Sequence, residues 1–95
     1  MSNQADDNDL DVLIHRRALS TTVVAESRSG ASESLLATLD GLGFQRQGQA
    51  IYVWHELPDD MDPAEVSRTC RRAASTLLAA GYTAEMDERL IQQPQ

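Results

Sequence analysis

His15, His55, Glu56, Asp59 and Asp60 are the side chains of this sequence suited to moving a proton or holding a metal ion. Imidazole titrates near neutral pH and carboxylates ligate cations, so a cluster of the two would signal acid–base or metal chemistry. The spacing argues against a local cluster. His55 and Glu56 are adjacent, which on a strand sends them to opposite faces. No Cys or His pair stands at metal-ligand spacing, so no catalytic or metal-binding residue is assigned and no cofactor is expected. Gly41-Leu42-Gly43 ends a helical stretch rather than opening one, so it is not a loop that cradles phosphate. A small enzyme without a motif stays open as an alternative, and it requires a pocket between sheet and helices with His15 or His55 inside it.

Two other groups offer binding chemistry. Tyr52 and Trp54 stand two apart in Ile51-Tyr52-Val53-Trp54, the most β-favouring run in the chain. They share one face of a strand, while Ile51, Val53 and His55 take the other. If Ile51 and Val53 fill the core, half of the chain's four aromatic residues lie on the far face, as an apolar patch for a protein partner or a second subunit. In the opposite assignment Trp54 packs in the core and Ile51 and Val53 point outward. Arg68, Arg71 and Arg72 form a basic strip on one helix, with Arg68 and Arg72 a turn apart. Such a strip either grips a phosphate or an acidic partner through forked hydrogen bonds, or is a solvated face paired with Glu65 or the acidic N-terminal segment.

The elements that position these groups follow from periodicity and end signals. Val12-Leu13-Ile14 and Leu19 to Ala25 read as strands that pair as a hairpin. Leu35, Leu36, Leu39 and Leu42 recur at helical spacing over about 31–42, and Gly43 supplies the stop. Phe44 to Gln47 and Ala50 to Leu57 read as two strands with a tight turn at Gly48, the second of them central in the sheet. Asp62-Pro63-Ala64-Glu65 combines an N-cap, a proline at the first helical position and a capping-box acid. Val66, Cys70, Ala73 and Leu77 then make the apolar stripe of a helix running to Ala80, closed by Gly81. Tyr82 to Asp87 alternates as a last, half-buried strand.

Strand, helix, strand, strand, helix, strand is the split βαβ or ferredoxin-like order: an antiparallel sheet with two helices on one face, here with an extra N-terminal strand beside it. The same order occurs in RNA-recognition domains, whose third strand stacks bases on aromatic rings. In Gln47 to Trp54, however, Gln47 replaces the basic residue of that signature, and Gln49 and Ile51 stand where two aromatics belong. Without those rings, and with net negative charge, that route loses both stacking and phosphate attraction.

The length of 95 residues allows one domain. The boundaries expected are a disordered acidic tail over 1–9, a single α+β domain over 10–91 and a frayed end over 92–95. The net charge of −7 is uneven. Residues 1–11 hold four Asp and no Arg, while the remainder sets eight Arg against eleven acids. The longest stretch free of charge, Ala73 to Ala84, is far shorter than the roughly 20 residues of a membrane span. No secretory signal opens the chain, and a lone Cys70 fits a reducing compartment, so a cytoplasmic location with no membrane contact is expected.

From about Val12 to Leu90 the chain resembles small uncharacterised actinobacterial α+β proteins. The likeness lies in Leu42-Gly43-Phe44, in the aromatic strand followed by Leu57-Pro58, and in Ala79-Ala80-Gly81-Tyr82 with its Asp87 to Leu90 ending. The use of Arg to the exclusion of Lys resembles the bias of a high-GC genome. This resemblance implies a fold and no activity. The expected function is a non-catalytic interaction or regulatory domain that forms a homodimer or binds a protein through Tyr52 and Trp54. The alternative is a nucleic-acid-associated regulator using Arg68, Arg71 and Arg72, masked by the acidic tail until a partner displaces it.

Overall fold

The computed structural model describes residues 4–16, 22–49 and 52–87. Its elements are α1 (Gln4–Asp7), β1 (Val12–Arg16), β2 (Val23–Ser27), α2 (Glu33–Gly41), β3 (Gln45–Gln49), β4 (Tyr52–Glu56), α3 (Pro63–Ala79) and β5 (Ala84–Met86). They build an α+β domain in which one open, mixed five-stranded sheet has the order β3-β4-β2-β1-β5. α2 and α3 both pack on one face of it, against a shared core.

The helix ends form where the end signals stand. Asp62 accepts the Ala64 N–H at 3.2 Å with Pro63 at the first helical position. The reciprocal half of the capping box is missing, because the Glu65 carboxylate takes Arg68 at 2.7 Å instead. At the other end Gly81 adopts φ 95°, and the Tyr82 N–H reaches back to the Leu77 carbonyl at 2.9 Å, closing a Schellman motif. α2 ends the same way, with Gly43 at φ 102° and the Phe44 N–H on the Leu39 carbonyl. Val66, Cys70, Ala73 and Leu77 of α3 and Leu35 and Leu39 of α2 are buried against Val12, Ile14, Val23 and Ala25 of the sheet. Burying each of the larger side chains contributes about 1.5–3 kcal/mol relative to leaving it exposed.

The sheet differs from the antiparallel ferredoxin-like arrangement in one respect. The N-terminal strand, expected beside a four-stranded sheet, lies inside it, between β2 and β5. Parity then dictates the mixed pairing. β4 and β5 are joined by a helical crossover and run the same way, whereas the β2–β4 and β1–β2 pairs are antiparallel. β1 therefore points along β4, and β5 meets it as a parallel neighbour, with Val12 opposite Ala84 and Ile14 opposite Met86. Gly48 also departs from its expected role. It is a paired residue of β3 opposite Val53, while Ala50 and Ile51 lie outside the described residues.

The opening segment, expected to be disordered over 1–9, is placed from residue 4 onward. α1 buries Ala5 completely, Leu10 is buried behind it, and Asp6 accepts hydrogen bonds from the Ser29 backbone N–H at 3.1 Å and hydroxyl at 2.6 Å. Two small apolar anchors and one charge-assisted clasp offset the ordering of a short polar segment. Residues 92–95 lie outside the described residues.

Candidate functional site

Strand register decides which side chains look away from the helices. Ala25 of β2 pairs with His55 of β4, and both lie on the helix-covered face with Val12, Ile14 and Val23. Tyr52 and Trp54 alternate with His55, so they occupy the helix-free face, opposite Gln49 and Gln47 of β3. Tyr52 is 53% exposed. Trp54 is only half-buried, and its indole N–H donates to Glu56 Oε2 at 2.7 Å along the same strand face. The aromatic pair is thus brought together, with Tyr52 forming its solvent-facing part.

The helix-free face has two halves of different character. Around β3 and β4 it carries Gln45, Gln47, Tyr52 and Trp54, with a single carboxylate, Glu56, held by the Trp54 indole at the end of β4. Around β1 and β2 it carries Glu26, His15 and a buried Val24. There His15 Nε2 lies 2.9 Å from Glu26 Oε1, and His15 Nδ1 lies 3.1 Å from the Arg16 carbonyl. The hydrogen bond to Glu26 raises the His15 pKa above its ordinary value, against the opposing effect of burial.

The second histidine enters a different setting. His55 is fully buried beneath α2, and its Nε2 lies 2.8 Å from Asp40 Oδ1. Burial drives its pKa below the ordinary value, outweighing the pull of Asp40. Burial thus favours the neutral imidazole, whose Nε2–H donates to the carboxylate. Asp40 in turn receives Arg46 Nη2 at 2.7 Å, and the same guanidinium holds Glu33 at 2.9 Å. His55 and Arg46 face each other across β4 and β3, while Glu33 and Asp40 stand two turns apart on α2. This four-residue network clamps α2 to the edge of the sheet. It was not legible from the sequence, where only the seven-residue spacing of Glu33 and Asp40 hints at a shared helix face. His55 Nδ1 is buried without a hydrogen bond of good geometry, the Leu36 backbone exerting only a weak pull.

The remaining sequence candidates separate. Glu56 faces away from His55, and Asp59 accepts the Thr22 hydroxyl at 2.8 Å, tying the β4–α3 connection to the start of β2. Among the described residues no group of three His, Cys, Asp or Glu side chains is placed to hold a metal ion. Arg68 of the basic strip pairs with Glu65, while Arg71 and Arg72 are exposed on the outer side of α3. The acidic segment does not reach that strip through Asp6 or Asp11. Asp6 goes to Ser29, and Asp11 goes to Arg28 at 3.2 Å and to Thr83. Cys70 is buried on the inner side of α3, its thiol pushed up to about 11 by burial, which makes it a poor nucleophile.

A cavity of about 330 Å³ opens where β2 ends and β4 begins. The β2–α2 turn, Leu36 of α2, Tyr52 and Val53 line it, and neither histidine does. Sequence reasoning missed this site because its walls come from three separate elements. No known protein family matches this chain, and no curated protein or solved structure is significantly similar to it. No helix among the described residues is long and apolar enough to cross a membrane.

Proposed function

We propose that this chain is a non-catalytic interaction domain that self-associates through the β3–β4 half of its helix-free face. The observation that carries this reading is the position of Tyr52 and Trp54 beside Gln45 and Gln47, on a face that α2 and α3 leave uncovered. Charge selects the occupant. A chain of net charge −7 repels its own copies, and the β3–β4 region, whose one carboxylate, Glu56, is already held by the Trp54 indole, is where two copies approach at low electrostatic cost. β3 is also an edge strand whose single charge, Arg46, is drawn inward to Asp40 and Glu33, so its outer edge lacks the outward charges that commonly block pairing. The sheet is, in this reading, a split βαβ arrangement widened by β1, and the buried single Cys70 is in keeping with a reducing cytoplasm.

Sedimentation velocity over a wide concentration range tests the proposal. The wild-type chain is expected to dimerise, and Tyr52→Ser with Trp54→Ser to abolish association while circular dichroism stays unchanged. A wild-type chain that is monomeric at every concentration, or a double variant that sediments like the wild type, sinks it.

A further inference from the structure

Tyr52 and Val53 are two of three large apolar side chains exposed among the described residues, and both border the same cavity. Val53 is 40% exposed although it shares the helix-covered face with His55. Leu36 and Ala31 complete an apolar wall. The rim has the opposite chemistry. Ser27, Arg28 and Ser29 form it, and Gly30 at φ 74° turns the backbone into α2. The volume of about 330 Å³ is at the small end of the range for metabolite pockets, about 300–1,000 Å³.

One rim residue, Ser29, already holds an anion, the carboxylate of Asp6, which is not itself part of the cavity wall. Both Asp6 carboxylate oxygens are engaged by Ser29, one by its backbone N–H and one by its hydroxyl, with the Arg28 guanidinium adding attraction. The Arg28 guanidinium pairs with Asp11 at an exposed position, a weak hold that leaves it able to reorient. Charge-assisted bonds of this kind suit any carboxylate or phosphate of similar size. Asp6 belongs to a single helical turn, an element short enough to be displaced without unfolding the sheet.

We infer that this cavity binds a small organic anion, its apolar or aromatic body against Tyr52 and Val53 and its carboxylate or phosphate on Ser29 and Arg28, in exchange for Asp6. The N-terminal segment acts as a tethered competitor that sets the affinity. Every wall of the cavity comes from one chain, and Tyr52 is the one side chain it shares with the proposed self-association face.

The test is a titration followed by ¹H–¹⁵N spectra of the full chain, wild type and Asp6→Asn, with phenyl phosphate. Inorganic phosphate lacks the body and benzyl alcohol lacks the charge. Saturable shifts are expected at the Ser29, Gly30, Ala31 and Val53 amides, with Asp6→Asn binding roughly threefold or more tightly, and both control compounds more weakly. Arg28→Gln should lower affinity by about tenfold, the loss of one charge-assisted contact. Benzoate in place of phenyl phosphate tells which anionic head the rim prefers, and binding of either one supports the site. The absence of saturable shifts at these amides in both proteins overturns the inference, as does equal response to benzyl alcohol. If Asp6→Asn fails to fold, the wild type and Arg28→Gln decide it alone.

Discussion

His15 and His55 make nearly the same contact, an imidazole Nε2 within 2.8–2.9 Å of a carboxylate, yet their pKa values move in opposite directions. His15 lies on the helix-free face, where the hydrogen bond to Glu26 prevails and favours the imidazolium. His55 lies under α2, where desolvation prevails, and its carboxylate partner is shared with Arg46. A carboxylate already neutralised by a guanidinium has little field left to stabilise a second cation. Distance alone does not report protonation; the neighbours of the partner do.

The largest expected contrast is in stability. His55→Ala removes a fully buried ring and its hydrogen bond, and should cost about 2–4 kcal/mol, whereas His15→Ala should cost about 1 kcal/mol or less. Urea unfolding of the two variants measures this, and equal losses would mean that the two faces support the fold alike.

A sharper probe exchanges the environments. Arg46→Gln removes the cation that helps depress the His55 pKa and releases Asp40 from its second partner. The His55 imidazole should then titrate at higher pH than in the wild type, while His15 stays where it was. Titration of the imidazole Hε1 resonances reads both residues in one sample, and an unmoved or lowered His55 would mean that Arg46 does not weaken the hold of Asp40 on the imidazole.

The smallest effect is on the pH dependence of folding. His15 titrates above the ordinary histidine value of 6.5, so its contribution is fully present below 6.5 and is lost as the pH rises through the folded value. His55 titrates below 6.5, so as the pH drops beneath that value the unfolded chain gains a proton that the folded chain refuses, and stability falls. The two slopes oppose each other and place the histidine contribution at its maximum near pH 6.5. In more acid solution Asp40 and Glu33, both held below their ordinary range chiefly by Arg46, add a further loss as they protonate. His15→Gln should flatten the alkaline slope alone, measured as unfolding midpoints between about pH 6.5 and 8.5.

Local signals in the sequence translate well into local structure. Asp62-Pro63 starts α3 and Gly81 ends it, Gly43 closes α2, and the stripe Val66, Cys70, Ala73, Leu77 is buried as a unit. Alternation along Ile51 to His55 is enough to set Tyr52 and Trp54 on one face and His55 on the other, though not to say which face the helices cover. What escapes is set by long-range pairing. Placing β1 between β2 and β5 requires contacts between distant parts of the chain, such as Val12 with Ala84, for which no local pattern exists. The network of Glu33, Asp40, Arg46 and His55 likewise draws on three elements, and each of its members alone looks like an ordinary surface or strand residue. Asp6 escapes for a related reason, because composition weighs a segment's charge and cannot count the partner that meets it.

The parallel seam between β1 and β5 also governs how the chain reaches this shape. β1 and β2 can find each other early, since few residues separate them, but β5 can dock only after α3 has carried the chain back across the sheet. Asp11 and Thr83 then lock the starts of these two strands together through bonds in both directions. Of the five strands, the one synthesised last is the one that covers the first, which leaves one margin of β1 bare until β5 has been made. Closing so long a loop is slow compared with forming a hairpin, so assembly of this domain is gated by the arrival of β5 rather than by its opening strands.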